Sequence, residues 1–269
     1  MDDIAPENSC MQRAKGEIVV AMANHKLKQL YQSGAAKVLL PRTYGSMPEA
    51  VLVNTAGGIT GGDRFSYQVA TENSELVVTT QAAERAYRSA SETASLSVKL
   101  TARNGSALHW LPQETILFDG CSLRRDVDVD IDASSECLML EALTYGRHAM
   151  KETLNDCLFS DQWRIRQAGQ LVHAEALRLE SAVSDMLRQI AGGASAQMSA
   201  TLIYLGPRLD NITSNLKTVF DQVSSLAAFS AWQDKLVVRL LSNEAHRGRE
   251  DIIEILNAMR EHNPPRVWQ

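Results

Sequence analysis

The segment Asp126-Val127-Asp128-Val129-Asp130-Ile131-Asp132 places a carboxylate and a β-branched apolar side chain alternately, one after the other. An extended strand sorts such a sequence by face. Val127, Val129 and Ile131 fall on one side and the four aspartates on the other. A helix, turning about 100° per residue, would scatter both sets around its circumference. The same period appears in Phe65, Tyr67 and Val69, in Leu96, Val98 and Leu100, and in Trp163 and Ile165. Each of these segments predicts a strand with one buried face and one wet face.

Other apolar runs are more continuous: Val51–Val53, Leu76–Val78, Cys137–Leu143 and Leu171–Leu179. Each predicts a strand buried on both faces. Turn residues separate these segments at Arg103–Ser106, Phe118–Gly120 and Gln167–Gln170. Many short strands at close spacing predict stacked, largely antiparallel sheets rather than alternating β and α units. With 269 residues, 45% of them hydrophobic, the chain is long enough to close a large core.

The period lengthens toward the C-terminus. Val183, Met186, Leu187 and Ile190 predict a short helix after Ser181, stopped by Gly192-Gly193. Ile212, Leu216, Val219, Phe220 and Val223 predict a second helix with Asp210 as its N-cap, and Ile252, Ile253, Leu256 and Met259 a third, closed by Pro264-Pro265. Gln197–Leu205 and Leu236–Leu241 predict further strands. No fixed-period repeat or linker divides the chain. A single domain over 1–269 is expected, mainly β over 1–205 with a smaller α/β part over 206–269.

The glycine-rich stretch Asn54–Asp63, NTAGGITGGD, invites comparison with phosphate cradles. A P-loop places a lysine directly after its last glycine, where it reaches the phosphates. Here that position is Asp63, whose carboxylate would repel them. A dinucleotide fingerprint needs glycines at i, i+2 and i+5, and Ile59 stands at i+2 from Gly57. A strand pattern follows the stretch where either motif needs a helix. Gly57, Gly58, Gly61 and Gly62 therefore predict a tight strand-to-strand turn, with Asp63 anchoring it or touching a partner.

Composition removes other classes. The net charge of -5 and the absence of a long basic run argue against nucleic-acid binding. The acidic N-terminal residues lack the pattern of a secretory signal, and no apolar window reaches the length of a membrane span, so no membrane role and a cytoplasmic location are expected. Cys10, Cys121, Cys137 and Cys157 stand far apart and predict reduced thiols. An EF-hand beginning at Asp126 would need glycine at Ile131 and glutamate at Cys137, so the aspartate ladder predicts a solvated strand face that discourages edge pairing. His25, His109, His148, His173, His246 and His262 form no metal-binding spacing. Glu141 and Glu175 are notable for their apolar neighbours. Each either turns to a wet face, pairs with an arginine, or serves an internal polar path or an interface contact.

A wider pattern joins these pieces. NTAGGITGGD is followed by VTTQAAERAYRS (Val78–Ser89), LHWLPQETILFDG (Leu108–Gly120), EALTYGR (Glu141–Arg147), LVHAEALRL (Leu171–Leu179) and a terminal PPRVW (Pro264–Trp268). In this order and spacing they closely resemble the UreD (UreH) family of urease accessory proteins, from about Asn54 to the C-terminus. Two departures stand out: Ala86 replaces an aromatic common before the tyrosine of the YRS motif, and GAAKVLLPRTYG (34–45) replaces a Pro-Phe-Tyr-Pro type stretch.

The resemblance implies a mainly β protein with a β-helix-like body and about two flanking C-terminal helices. It implies a scaffold without catalysis of its own, which binds UreF, reaches the GTPase UreG through UreF, and docks on apo-urease, with a possible dimer inside the accessory complex. No tightly bound cofactor is implied; nickel would pass transiently along an internal route on its way to urease. Glu141 and Glu175 then become candidates for that route. Thr79, Thr80, Gln81, Tyr87, Arg88 and Ser89, with the glycine turn, become candidates for path lining or partner contact. Oxygen ligands suit weak, reversible holding of nickel, where thiolates or paired imidazoles would trap it. Two other functions compete: an interaction module without nickel contact, and a β-rich hydrolase with a cryptic nucleophile–base pair.

Overall fold

A computed structural model describes residues 12–43 and 47–269. The N-terminal residues before Gln12, Cys10 among them, and residues 44–46 lie outside the described residues, and with them parts of the leader and GAAKVLLPRTYG readings.

Two sheets and a helical layer stack on one another. β1 (Lys15–Ala23) and β2 (Lys26–Gly34) form a hairpin in the outer sheet, and β3 (Ala36–Leu39) and β4 (Glu49–Asn54) one in the middle sheet. The chain then alternates. β5 (Arg64–Glu72) is outer and β6 (Glu75–Thr80) middle, followed by the short β7 (Glu84–Ala86). β8 (Ala94–Arg103) is outer and β9 (Ala107–Leu111) middle, followed by the short β10 (Thr115–Leu117). β11 (Cys121–Ile131) is outer and β12 (Glu136–Tyr145) middle. β13 (Cys157–Gln167) and β14 (Gln170–Glu180) close the outer sheet as a hairpin. After α1 (Val183–Arg188), β15 (Met198–Leu205) extends the middle sheet; α2 (Leu209–Val219) follows, then β16 (Leu226–Trp232), β17 (Lys235–Ser242) and α3 (Ala245–Met259).

The sheets are mixed, not largely antiparallel. β1, β5, β8, β11 and β13 run parallel in the outer sheet, as do β4, β6, β9 and β12 in the middle one. The reason lies in the turns. Arg103–Ser106 reads as a hairpin loop but carries the chain from β8 in one sheet to β9 in the other. Such arches stack: the Asn104 backbone N–H donates to Asp132 Oδ2 (2.5 Å), and Asn104 Nδ2 donates to Glu72 Oε1 (2.9 Å).

The main core fills the space between the sheets. Val127, Val129 and Ile131 point into it, completely buried, with Val98 and Leu100 beside them. A second core lies on the other face of the middle sheet, where Leu138, Leu140 and Leu202 meet Ile212 and Leu216 of α2 and Ile252, Ile255 and Leu256 of α3. The middle sheet is thus covered on both faces, which explains the continuous apolar runs of β4, β6 and β12. Leu171–Leu179 departs from this expectation. It forms the edge strand β14, no layer covers its outer face among the described residues, and Leu171 is 57% exposed.

The aspartate ladder lies on the outer face of β11, a central strand rather than an edge. Cations on both neighbours answer it: Arg103 of β8 meets Asp130 at 2.6 Å, and Arg166 of β13 meets Asp128 at 3.6 Å. The helices begin and end slightly off the expected positions. α2 starts with Asp210 in its first turn and Arg208 as N-cap, and α1 ends before Ile190, which is exposed. Trp268 of the terminal PPRVW is fully buried, and its indole N–H donates to the Leu111 carbonyl at 3.0 Å.

Candidate functional site

Glu141 stands on β12 between Met139 and Leu143, on the face turned to the outer sheet. Opposite it, Arg125 of β11 and Asp161 of β13 occupy inward positions in otherwise apolar rows, between Leu123 and Val127 and between Phe159 and Trp163. Arg125 Nη1 lies 2.5 Å from Glu141 Oε2. Its Nε and Nη2 donate to the two oxygens of Asp161 at 2.9 and 2.7 Å. Trp110 Nε1 donates to Glu141 (3.0 Å), Trp163 Nε1 to Asp161 (3.1 Å), and Arg125 Nη1 to Thr115 Oγ1 (3.3 Å). All three charged residues are buried.

Two carboxylates share one guanidinium here, so the group carries a net negative charge in a dry space. Burial opposes the charge of Arg125, but the two carboxylates outweigh it and hold the guanidinium firmly protonated. Burial pushes the Glu141 carboxyl up, Arg125 pulls it back, and the charge of Asp161 adds to the rise. Burial and the neighbouring charge thus favour the protonated form of Glu141.

The row continues toward the edge. In the middle sheet Glu141 pairs in register with Thr201 of β15, and Thr201 with Arg239 of β17, all on one face. Arg239 Nη1 lies 2.5 Å from Glu175 Oε1 and donates to Thr201 Oγ1 at 3.3 Å. Glu175 reaches over from β14, where it sits opposite Trp163, and His173 lies 3.3 Å from its other oxygen. Burial opposes the charge of Glu175, but His173 and Arg239 outweigh it and keep the carboxyl below its usual range. The structure thus brings both carboxylates singled out in the sequence to one polar row, from a buried centre at Glu141 to an open edge at Arg239.

The glycine turn lies elsewhere, between β4 and β5, and lays Ile59 against Ala86 of β7. The Ile59 backbone N–H donates to the Arg85 carbonyl and Tyr87 N–H donates to the Ile59 carbonyl, both at 2.7 Å. Gly57, Gly58 and Gly62 have positive φ. Gly61 admits no side chain, because a Cβ there would strike the side chain of Ser89 and the Glu92 carbonyl. Asp63 is buried and accepts from the Ala14 and Thr60 N–H groups at 2.7 and 2.8 Å. Tyr87 stacks edge-on against Phe118, Arg88 pairs with Asp119 at 2.6 Å, and Ser89 Oγ donates to the Glu92 carbonyl. Thr79 Oγ1 donates to the Leu111 carbonyl (2.7 Å) and Thr80 Oγ1 to that of Ala82 (3.0 Å), while Gln81 is exposed. These residues knit a motif of their own and do not join the Glu141 row.

Arg125 and Asp161 do not stand out in the sequence patterns, although each holds an inward position in a row of buried apolar residues. A second polar network is equally unannounced there. Glu136 receives Arg208 Nη2 (2.9 Å), Tyr204 OH (2.9 Å) and His109 Nε2 (3.1 Å), while Arg260 Nη1 donates to His109 Nδ1 (2.6 Å). The arginine at Nδ1 fixes the ring proton on Nε2. Burial lowers His109 to about 4, so the ring is neutral at physiological pH. Among the described residues, no group of three or more His, Cys, Asp and Glu side chains is arranged to hold a metal ion.

A layered, mixed β protein with a buried ionic row between its sheets is the class that these features define. The family model of the UreD urease accessory protein matches residues 12–269. A urease accessory protein UreD of Rhizobium rhizogenes is 40% identical over 271 residues, covering 98% of both chains. That of Agrobacterium fabrum is 41% identical over 95% of this chain and 90% of its own length, and that of Paracoccus denitrificans 37% identical over 100% and 96%. The chain belongs to the UreD urease accessory protein family, and its role is in urease maturation. No helix is long and apolar enough to cross a membrane among the described residues.

Proposed function

We propose that this chain is a non-catalytic scaffold that docks with UreF, and through UreF with UreG, on apo-urease in the cytoplasm, and that nickel travels along the polar row between its sheets. The observation that carries the route is the charge of the row. Two buried carboxylates against one guanidinium leave a negative centre that is balanced by a proton on Glu141 or by a passing cation. Nickel is cargo here: Glu141 and Asp161 would hold it weakly through oxygen, and Glu175 at the open edge would admit or release it. No tightly bound cofactor is required.

Arg125 supports a second reading. A guanidinium bonded to both carboxylates repels a cation and is itself a sufficient reason for their burial. On that reading the row is structural, and the chain is an interaction module with no nickel contact.

Glu141→Gln and Glu175→Gln separate the two. Each variant is expressed with the urease genes in a strain lacking the native chain. The conduit role expects UreF and apo-urease to copurify as with the unaltered chain while nickel per urease falls. Full nickel loading by both variants, with partners retained, sinks the conduit and leaves the module.

A further inference from the structure

A cavity of about 110 Å³ opens between the end of β4, the glycine turn and the loop after β6. It lies apart from the Glu141 row. Glu84 stands in its wall with few partners. Asn54 Nδ2 reaches both carboxylate oxygens at 3.2 Å, and the Arg85 backbone N–H reaches one at 3.2 Å. A carboxylate has about four acceptor sites and these donors fill three, so one remains open, on Oε2. Among the described residues no side-chain cation pairs with it.

Tyr67 also lines the cavity. It is 5% exposed, yet its hydroxyl makes no hydrogen bond to another described residue. The oxygen itself is not sealed in the core but opens on the cavity. Leu52, Val53, Ala82 and Ala83 supply apolar wall, and Thr80, Gln81 and Arg85 complete the lining. Burial raises the Glu84 carboxyl to about 7, against the pull of Asn54 and of Arg85, with Asp63 adding to the rise. The free protein thus compensates this charge only in part.

An open carboxylate oxygen, a partly compensated charge and a partly apolar wall describe one kind of occupant. An anion is refused by Glu84. A divalent metal needs about six oxygen ligands, and the cavity offers one carboxylate. A guanidinium seeks both oxygens of a carboxylate in one plane, and Asn54 already spans them. A compact ammonium on a methylene stem suits the open carboxylate oxygen, the phenol oxygen and the apolar wall. We propose that this cavity receives the end of a lysine side chain presented by a partner protein, with Glu84 and Tyr67 as acceptors for its ammonium group. The inference stands independently of the nickel route.

Butylammonium serves as the probe, titrated into the isotopically labelled full chain and followed by amide NMR. Saturable shifts are expected at Asn54–Gly58 and Gln81–Arg85. Glu84→Gln weakens binding by about tenfold or more, and Tyr67→Phe by about threefold. Butanol and propylguanidinium bind more weakly than butylammonium. No saturable shift up to about 100 mM overturns the site, since weaker binding carries no specificity. Equal shifts in Glu84→Gln, or with butanol, also overturn it, because an apolar slot would behave that way. Stronger broadening of the same amides by nickel overturns it in favour of a metal site. The partner is tested by carbodiimide coupling in the accessory complex isolated from cells. The reagent takes up the water lost as Glu84 and a lysine amine form an amide. A peptide joined through Glu84, absent from the Glu84→Gln complex, is expected. An intact complex without that peptide removes the partner lysine.

Discussion

Arg125 and Glu141 meet across the intersheet space at 2.5 Å, each on a different sheet and each nearly inaccessible to solvent. Removing the arginine leaves two carboxylates in a dry core. Arg125→Met is expected to cost about 3–5 kcal/mol in urea unfolding. Combining Arg125→Met with Glu141→Leu and Asp161→Leu removes every uncompensated charge and restores most of that loss. The triple variant also speaks to function. A structural row predicts normal urease activation from it, and a conduit predicts loss.

His109 gives the fold a pH dependence of known sign. Its ordinary value is 6.5, and burial lowers it to about 4 in the folded protein. The unfolded chain therefore binds a proton before the folded one does. The stabilisation is complete above about pH 6.5 and is lost as pH falls toward 4, on the order of 3 kcal/mol. His109→Gln, which cannot titrate, removes this part of the slope. Urea midpoints for both proteins at several pH values across that window measure the difference.

Glu84 acts in the opposite direction. Its folded carboxyl sits near 7 against an ordinary 4.5, so its contribution is present at low pH and lost as pH rises through that interval. Glu84→Gln is expected to stabilise the free protein at pH 8, by on the order of 2 kcal/mol, and to leave it unchanged near pH 4. Thermal or urea unfolding at the two pH values checks both halves.

Gly61→Ala tests the close approach of the glycine turn to Ser89 and Glu92. The added methyl has no room, and a cost of about 1–3 kcal/mol is expected. Limited proteolysis reports where it falls, with new cleavage at Gly57–Asp63 and Arg88–Glu92 rather than in β12.

Trp268→Ala empties a fully enclosed position beneath the middle sheet and releases the bond to Leu111. The expected loss is about 3–5 kcal/mol in unfolding, with sheet-to-sheet packing around Val127 retained.

Strands were legible wherever alternation was clean, because facing is a local property of the chain. Their pairing was not. Asn104 and Gly105 provide the same backbone bend for an arch as for a hairpin, and only the distant partner decides which forms. Leu171–Leu179 looked doubly buried because sequence does not show that no layer covers β14. Glu141 was conspicuous as an acid in an apolar run. The contact of Glu175 with Arg239 joins different sheets through residues far apart in the chain, so nothing local announced it.

The sheet-to-sheet winding also governs how the chain acquires its shape. Phe65 pairs with Leu96, Leu96 with Arg125 and Arg125 with Asp161, so each strand waits for a whole further lap before its outer-sheet neighbour exists. Contacts of such sequence separation form slowly. During synthesis the newest lap presents an unpaired edge to the surrounding solution, and an interrupted chain would end on that adhesive rim.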